Sequence, residues 1–195
     1  MMRLLVHSAT ALALLVLLSP LLLAMALLVR LSSPGPVFFQ QERVGRAGRL
    51  FRIYKFRTMR VNSGGPQVTG GADPRITPIG AWLRHWKLDE MPQLINVVTG
   101  EMALVGPRPE VPRYVAHYTP AQRKVLSVPP GITGVVQLQY RHEEELLRDA
   151  ADPEALYLAE IMPAKLALDL EYLRHRTAWT DLSLIVATFR RVLGG

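Results

Sequence analysis

Asp89 and Glu90 stand side by side in the run Lys87-Leu88-Asp89-Glu90-Met91, at the predicted start of a helix. Adjacent residues on a helix point about 100° apart, so the two carboxylates serve different partners. A helix N-terminus favours Asp89 as the ionised carboxylate, the form a nucleophile needs. Glu90 is then free to hold a hard divalent cation, because magnesium takes one or two carboxylates together with phosphate oxygens. Acidic residues in a first helical turn also serve as ordinary capping partners. Basic residues surround the pair: Arg84 lies five positions before Asp89, Arg108 is clamped between Pro107 and Pro109, and Lys55 and Arg57 form a third basic site. Guanidinium forks suit phosphate, and flanking prolines leave Arg108 little backbone freedom.

The elements that must position these groups follow from the turn and cap signals. Leu50 to Val61 has the aromatic and β-branched content of a strand. The segment 62–71 reads as a mobile glycine-rich loop. Thr77-Pro78 reads as an N-cap followed by a first-turn proline, opening a helix to about Trp86. The helix begun near Asp89 runs over Leu94, Ile95, Val97 and Val98 to Gly100. Met102 to Val105 reads as a buried strand, and Val135 to Tyr140 as another after the turn Pro129-Pro130-Gly131. Asp152-Pro153 caps a helix that Pro163 interrupts and Ala164 to Arg176 resumes, and Thr180-Asp181 starts the last helix, amphipathic through Leu184, Ile185, Phe189 and Val192. The acidic run Glu143-Glu144-Glu145, with Asp149 and Asp152, reads as a solvated face.

From Leu4 to Val29 there is no Asp, Glu, Lys or Arg. That length crosses a hydrocarbon core, which takes about 20 residues. Positive charge flanks it on both sides, at Arg3 and Arg30, rather than lopsidedly. Pro20 removes a donor near the middle of the run and bends or breaks the helix, so the freed carbonyl of Val16 needs a local partner such as the Ser19 hydroxyl. A re-entrant hairpin and a kinked single-pass helix both fit. Ala24-Met25-Ala26 has the form of a signal-peptide cleavage site, but the apolar run continues past it. Between Arg30 and Arg60 there are eight Arg or Lys against one acid, Glu42, interleaved with aromatics, a composition suited to anionic headgroups.

The chain is 195 residues with a net charge of +7 and no cysteine. Length points to one domain plus the apolar segment. Positive charge points to nucleic acid, anionic lipid or phosphorylated small molecules, and the absence of cysteine removes disulfide, thiolate and Cys-zinc chemistry. The basic residues cluster beside the apolar segment instead of on one recognition helix, which argues against nucleic acid. No Walker loop, GxGxxG, HExxH or G-x-S-x-G occurs.

Taken in order, four motifs resemble the bacterial monotopic phosphoglycosyl transferases, the sugar transferases of undecaprenyl-phosphate pathways. They are Tyr54-Lys55-Phe56-Arg57-Thr58-Met59, Thr77-Pro78-Ile79-Gly80-Ala81-Trp82-Leu83-Arg84, Leu88-Asp89-Glu90-Met91-Pro92-Gln93-Leu94-Ile95-Asn96-Val97 and Leu104-Val105-Gly106-Pro107-Arg108-Pro109-Glu110. Pro130-Gly131-Ile132-Thr133-Gly134 and Leu168-Asp169-Leu170-Glu171-Tyr172-Leu173 are similar too. The resemblance implies transfer of a sugar 1-phosphate from a UDP-sugar to a polyprenyl phosphate, with magnesium and release of UMP. Asp89 would form a covalent aspartyl phosphosugar, Glu90 would bind the metal, and Lys55, Arg57, Arg84 and Arg108 with Pro107 and Pro109 would form the phosphate and nucleotide site.

The family's Ser-Pro break falls on Ser19-Pro20, which favours the hairpin. The resemblance therefore implies an α+β protein: a re-entrant anchor over residues 1–30, then a helix-rich domain with a small sheet and interfacial amphipathic helices over 31–195. It would sit monotopically on the cytoplasmic face of the bacterial inner membrane against anionic lipids, as the minimal catalytic form, with room for self-association and for downstream glycosyltransferases. Lys87, Met91 and Val135 depart from the family's usual residues and leave the acidic pair intact.

Overall fold

The computed structural model describes residues 2–61, 73–141, 143–148 and 150–194. The glycine-rich segment at 62–71 lies outside them.

The apolar run forms two helices, α1 (Met2–Leu17) and α2 (Ser19–Ser32), bent by 67°. Pro20 sits in the first turn of α2. The Ser19 hydroxyl donates to the Val16 carbonyl at 2.8 Å, the group that Pro20 cannot serve. No single described helix is long and apolar enough to cross a membrane, although the bent pair together has the length and composition to do so. One face of the pair packs on the rest of the chain: Ala11, Met25 and Val29 are at most 2% exposed, and Ser8 donates to the Val97 carbonyl. The opposite face leaves Leu5, Leu12, Val16, Leu23, Leu27 and Leu31 more than half exposed.

Next come β1 (Phe38–Val44) and β2 (Leu50–Phe56), paired antiparallel from Phe38 opposite Phe56 to Val44 opposite Leu50. The first of these strands was not legible in advance, because its aromatic and basic residues read as surface. Ile53, Phe56 and Phe51 of β2 are buried against the helical pair and against α4 (Leu94–Val98), whereas β2 itself stops five residues short of the expected Val61. A second, parallel pair joins β3 (Ala103–Val105) to β4 (Gly131–Thr133). The architecture is α+β, with mostly short helices around two small sheets.

Helix α3 (Pro78–His85) opens as expected, with the Thr77 hydroxyl accepting from the Gly80 N–H at 2.9 Å. Four other boundaries differ from expectation. Asp89 lies in a 3-10 turn over Leu88–Gln93 that precedes α4, not in an α-helical first turn, because Lys87 enters it in the left-handed conformation (φ 55°). Val135–Gln139 is a helix, α6, not a strand: Val136 is buried and Gln137 reaches back to the Gly131 carbonyl, so packing overrides the propensity of the valine pair. Between α5 (Pro112–Val115), α7 (Glu143–Arg148) and α8 (Pro153–Leu156) on one side and α9 (Met162–Arg174) on the other, a π turn over Tyr157–Ile161 carries the chain into Pro163 without breaking the helix. Helix α10 (Ala178–Leu193) starts earlier than Thr180, on a capping box between Thr177 and Thr180.

One close approach fixes α3, and with it Arg84, against the end of β2. A Cβ on Gly80 would lie 2.0 Å from the Thr58 carbonyl oxygen. Gly80→Ala is therefore expected to destabilise the protein by about 1–3 kcal/mol through a forced backbone shift, measured by thermal unfolding in detergent. An unchanged midpoint would show that α3 is not pinned there.

Candidate active site

Three segments meet at Glu90. Lys55 comes from β2, Glu90 from the 3-10 turn, and Arg108 from the loop after β3. The Lys55 ammonium donates to Glu90 Oε1 at 2.6 Å, and Arg108 grips both carboxylate oxygens through Nη2 at 3.0 Å and Nη1 at 3.4 Å. Burial alone would push the Glu90 carboxyl up, but Arg108 and Lys55 outweigh it and hold the group well below the usual carboxylate range. Glu90 in turn raises the Arg108 guanidinium. Lys55 is lowered by burial, against the pull of Glu90.

Asp89 is buried beside this pair, 8% exposed. Burial first, and the Glu90 charge second, push its carboxyl up, while Lys55, Lys87 and Arg84 draw it down. The expected helix dipole is replaced by a short 3-10 turn, and desolvation prevails. Arg84 faces the same region with its Nε on the Thr58 hydroxyl at 2.8 Å.

The Arg108 loop is rigid for reasons beyond its prolines. The Pro107 carbonyl accepts from the Gly131 N–H at 2.8 Å, and the Pro109 carbonyl accepts from Arg43 at 3.2 Å. Pro107 and Pro109 thus act on Arg108 from behind. Glu110 continues the network, pairing with Arg43 at 3.1 Å and with the Tyr157 hydroxyl, which also receives Lys165, itself paired with Glu143 at 2.7 Å. Part of the acidic run is therefore structural rather than merely solvated. Asn96, fully buried, splices the turn to β2: its Oδ1 accepts from the Tyr54 N–H and its Nδ2 donates to the Arg52 carbonyl. Asn96, Glu110 and Asp169 carry positioning roles that depend on partners distant in the chain and that no local pattern pointed to.

Arg57 does not join this cluster. Its Nη2 donates to the Ser33 carbonyl at 2.6 Å, the Ser33 hydroxyl at 3.0 Å and the Val29 carbonyl at 3.3 Å, at the end of α2. Among the described residues no three His, Asp or Glu side chains form a metal-holding group. The Glu90 carboxylate is a hard oxygen donor of the kind magnesium takes, and in this structure both of its oxygens are engaged by Lys55 and Arg108.

Asp169 of α9 is 4% exposed, faces the backbone N–H of Arg108, and leaves Oδ1 unpartnered. Burial raises its carboxyl to about 7 against the pull of Lys165. The native state therefore holds a proton there that the unfolded chain has lost. This contribution to stability is complete below pH ~4 and disappears as pH rises through ~7. Asp169→Asn keeps an acceptor for Arg108 without the charge, and is expected to flatten the fall in unfolding temperature between pH 5 and 8. An equal slope in both proteins would contradict the assignment.

The bacterial sugar transferase family matches residues 1–195. The UDP-glucose:undecaprenyl-phosphate glucose-1-phosphate transferase of Xanthomonas campestris pv. campestris is 41% identical over 182 residues, covering 90% of this chain and 35% of the relative. The UDP-N-acetylgalactosamine-undecaprenyl-phosphate N-acetylgalactosaminephosphotransferase of Aeromonas hydrophila is 39% identical, covering 91% and 40%. The exopolysaccharide production protein PSS of Rhizobium leguminosarum bv. phaseoli is 38% identical, covering 92% and 88%. The chain thus spans well under half of the first two relatives and most of the third. With the family matched over the whole chain, this protein belongs to the bacterial sugar transferases.

Proposed function

We propose that this protein transfers a sugar 1-phosphate from a UDP-sugar to a polyprenyl phosphate, releasing UMP, through a covalent intermediate on Asp89. The observation that carries the reading is the buried Asp89 next to a carboxylate already clamped by Lys55 and Arg108. A cluster of three basic side chains around two acids is built to receive a diphosphate, whose added negative charge Lys55, Arg84 and Arg108 would meet. The activities for which the Xanthomonas and Aeromonas relatives are named support the same substrate class. Those two relatives are named for different sugars, so the donor of this protein is assigned as a UDP-sugar without a named sugar.

An Asp89 carboxylate oxygen attacks the sugar-bearing phosphorus, and the bond from that phosphorus to the bridging oxygen breaks, with UMP leaving on the electron pair. The polyprenyl phosphate oxygen then attacks the aspartyl phosphosugar, forming the lipid diphosphosugar and returning Asp89 as a carboxylate. Lys55, Lys87 and Arg84 offset the cost of holding Asp89 ionised in a buried place. Glu90 would hold magnesium, which would supply charge neutralisation for the diphosphate.

The acceptor lipid calls for a membrane-side site. The bare leucine face of α1 and α2 supports a hairpin embedded in the bilayer, with both ends on the cytoplasmic face. Helix α10 adds exposed Trp179, Leu182, Val186 and Phe189 on one side, as an interfacial helix would.

Detergent-held protein given a C55 polyprenyl phosphate, magnesium and a panel of UDP-sugars is expected to release UMP with at least one donor. Asp89→Asn and Glu90→Gln should each lower turnover by roughly 10³-fold or more, and chelation should abolish it. UMP release unaffected in Asp89→Asn would contradict the reading.

A further inference from the structure

Arg57 is only 5% exposed, yet its Nε and Nη1 have no hydrogen-bond partner. The exposed Arg30 comes to the same spot and donates to the Gly35 carbonyl at 2.9 Å. Gly35, at φ +125°, has no side chain where the Arg57 guanidinium lies: a Cβ there would be 2.2 Å from Nη1. Two guanidiniums therefore meet at one glycine, and among the described residues neither is paired with a carboxylate. The carbonyls at the end of α2 satisfy only Nη2 of Arg57. Burial, and then the Arg30 charge, both work against the Arg57 cation. A buried cation beside a like charge is unfavourable unless an anion completes the site.

We propose that Arg30 and Arg57, meeting at Gly35 where the helical pair joins the domain, bind the phosphate of a membrane lipid. Leu23, Leu27 and Leu31 form an exposed stripe at helical spacing along α2, and Arg30 lies one turn beyond Leu27. An apolar stripe ending at two guanidiniums matches an amphiphile with a phosphate head. Arg30 is the outer, accessible contact and Arg57 the buried one. The site is distinct from the Glu90 cluster, although the inference rests on the reading that the hairpin lies in the membrane.

Binding is measured without UDP-sugar, so its outcome is separate from that of the transferase reading. Native mass spectrometry of the full chain in detergent would be run with phosphatidylglycerol, a C55 polyprenyl phosphate, the matching polyprenol, or inorganic phosphate. Wild type should retain one phosphate lipid at that site, the tighter of the two naming its occupant. Neither polyprenol nor free phosphate should be held comparably, and Arg30→Gln should weaken retention about tenfold. Arg30→Glu supplies the missing anion in cis, so it should unfold at a higher temperature than wild type in lipid-free detergent and gain nothing from added lipid. Retention unchanged in Arg30→Gln, polyprenol bound as well as its phosphate, or an Arg30→Glu variant still stabilised by lipid would each overturn the proposal. Free phosphate bound as tightly as the lipids would overturn the lipid assignment.

Discussion

The Glu90 carboxylate, held at once by Lys55 and Arg108, is the interaction on which the arrangement of this protein depends. A half-buried carboxylate among apolar neighbours is stable as an ion when its charge is met, and here it is met from a strand and from a loop far apart in sequence. Everything around it keeps those two cations in reach. Asn96 ties β2 to the turn that carries Glu90, while Gly131, Arg43 and the Glu110 network hold the Arg108 loop. Losing the Arg43–Glu110 pair would leave a charge in a poorly solvated place, and losing the neutral ties would loosen the strand or loop that carries a cation, so the site and the fold are stabilised by the same contacts.

Beside that closed ion cluster, Asp89 is buried with less compensation than Glu90. Its carboxyl is pushed up where that of Glu90 is pulled down, although the two are neighbours. Two adjacent acids with opposite shifts are a mark of divided roles. The same helical pair that leaves its leucines bare toward the outside also supplies Ala11, Met25 and Val29 to the core. The segment suited to a membrane is thus part of the structure that positions the strand of Lys55.

Much of this was legible in the residues. The Ser19-Pro20 break, the Thr77 cap, the strand before Gly106 and the stiffness of Arg108 each follow from local chemistry: a missing N–H, a hydroxyl acceptor, fixed proline torsions. The resemblance singled out Asp89 and Glu90. Less legible were features that depend on partners distant in the chain. Lys87 in a left-handed conformation turned an expected α-helical start into a 3-10 turn, and packing made a helix of Val135 to Gln139. Arg57 read as a basic residue of the Lys55 site, but its side chain lies outside that cluster and reaches the end of α2, because the chain leaves the strand at Phe56 and the side chain follows the helix carbonyls. Burial of Asn96 and Asp169 could not be inferred from an asparagine or aspartate in an apolar run alone.

The central claim is that Asp89 carries the sugar phosphate. Intact-mass measurement of the protein mixed with magnesium and an accepted UDP-sugar, with no lipid acceptor present, tests it most directly. A gain equal to one sugar phosphate, mapped by peptide fragmentation to Asp89 and lost when polyprenyl phosphate is added, is the predicted result. An unmodified protein that still transfers sugar phosphate once the lipid is supplied would contradict it, since transfer would then pass directly from donor to acceptor.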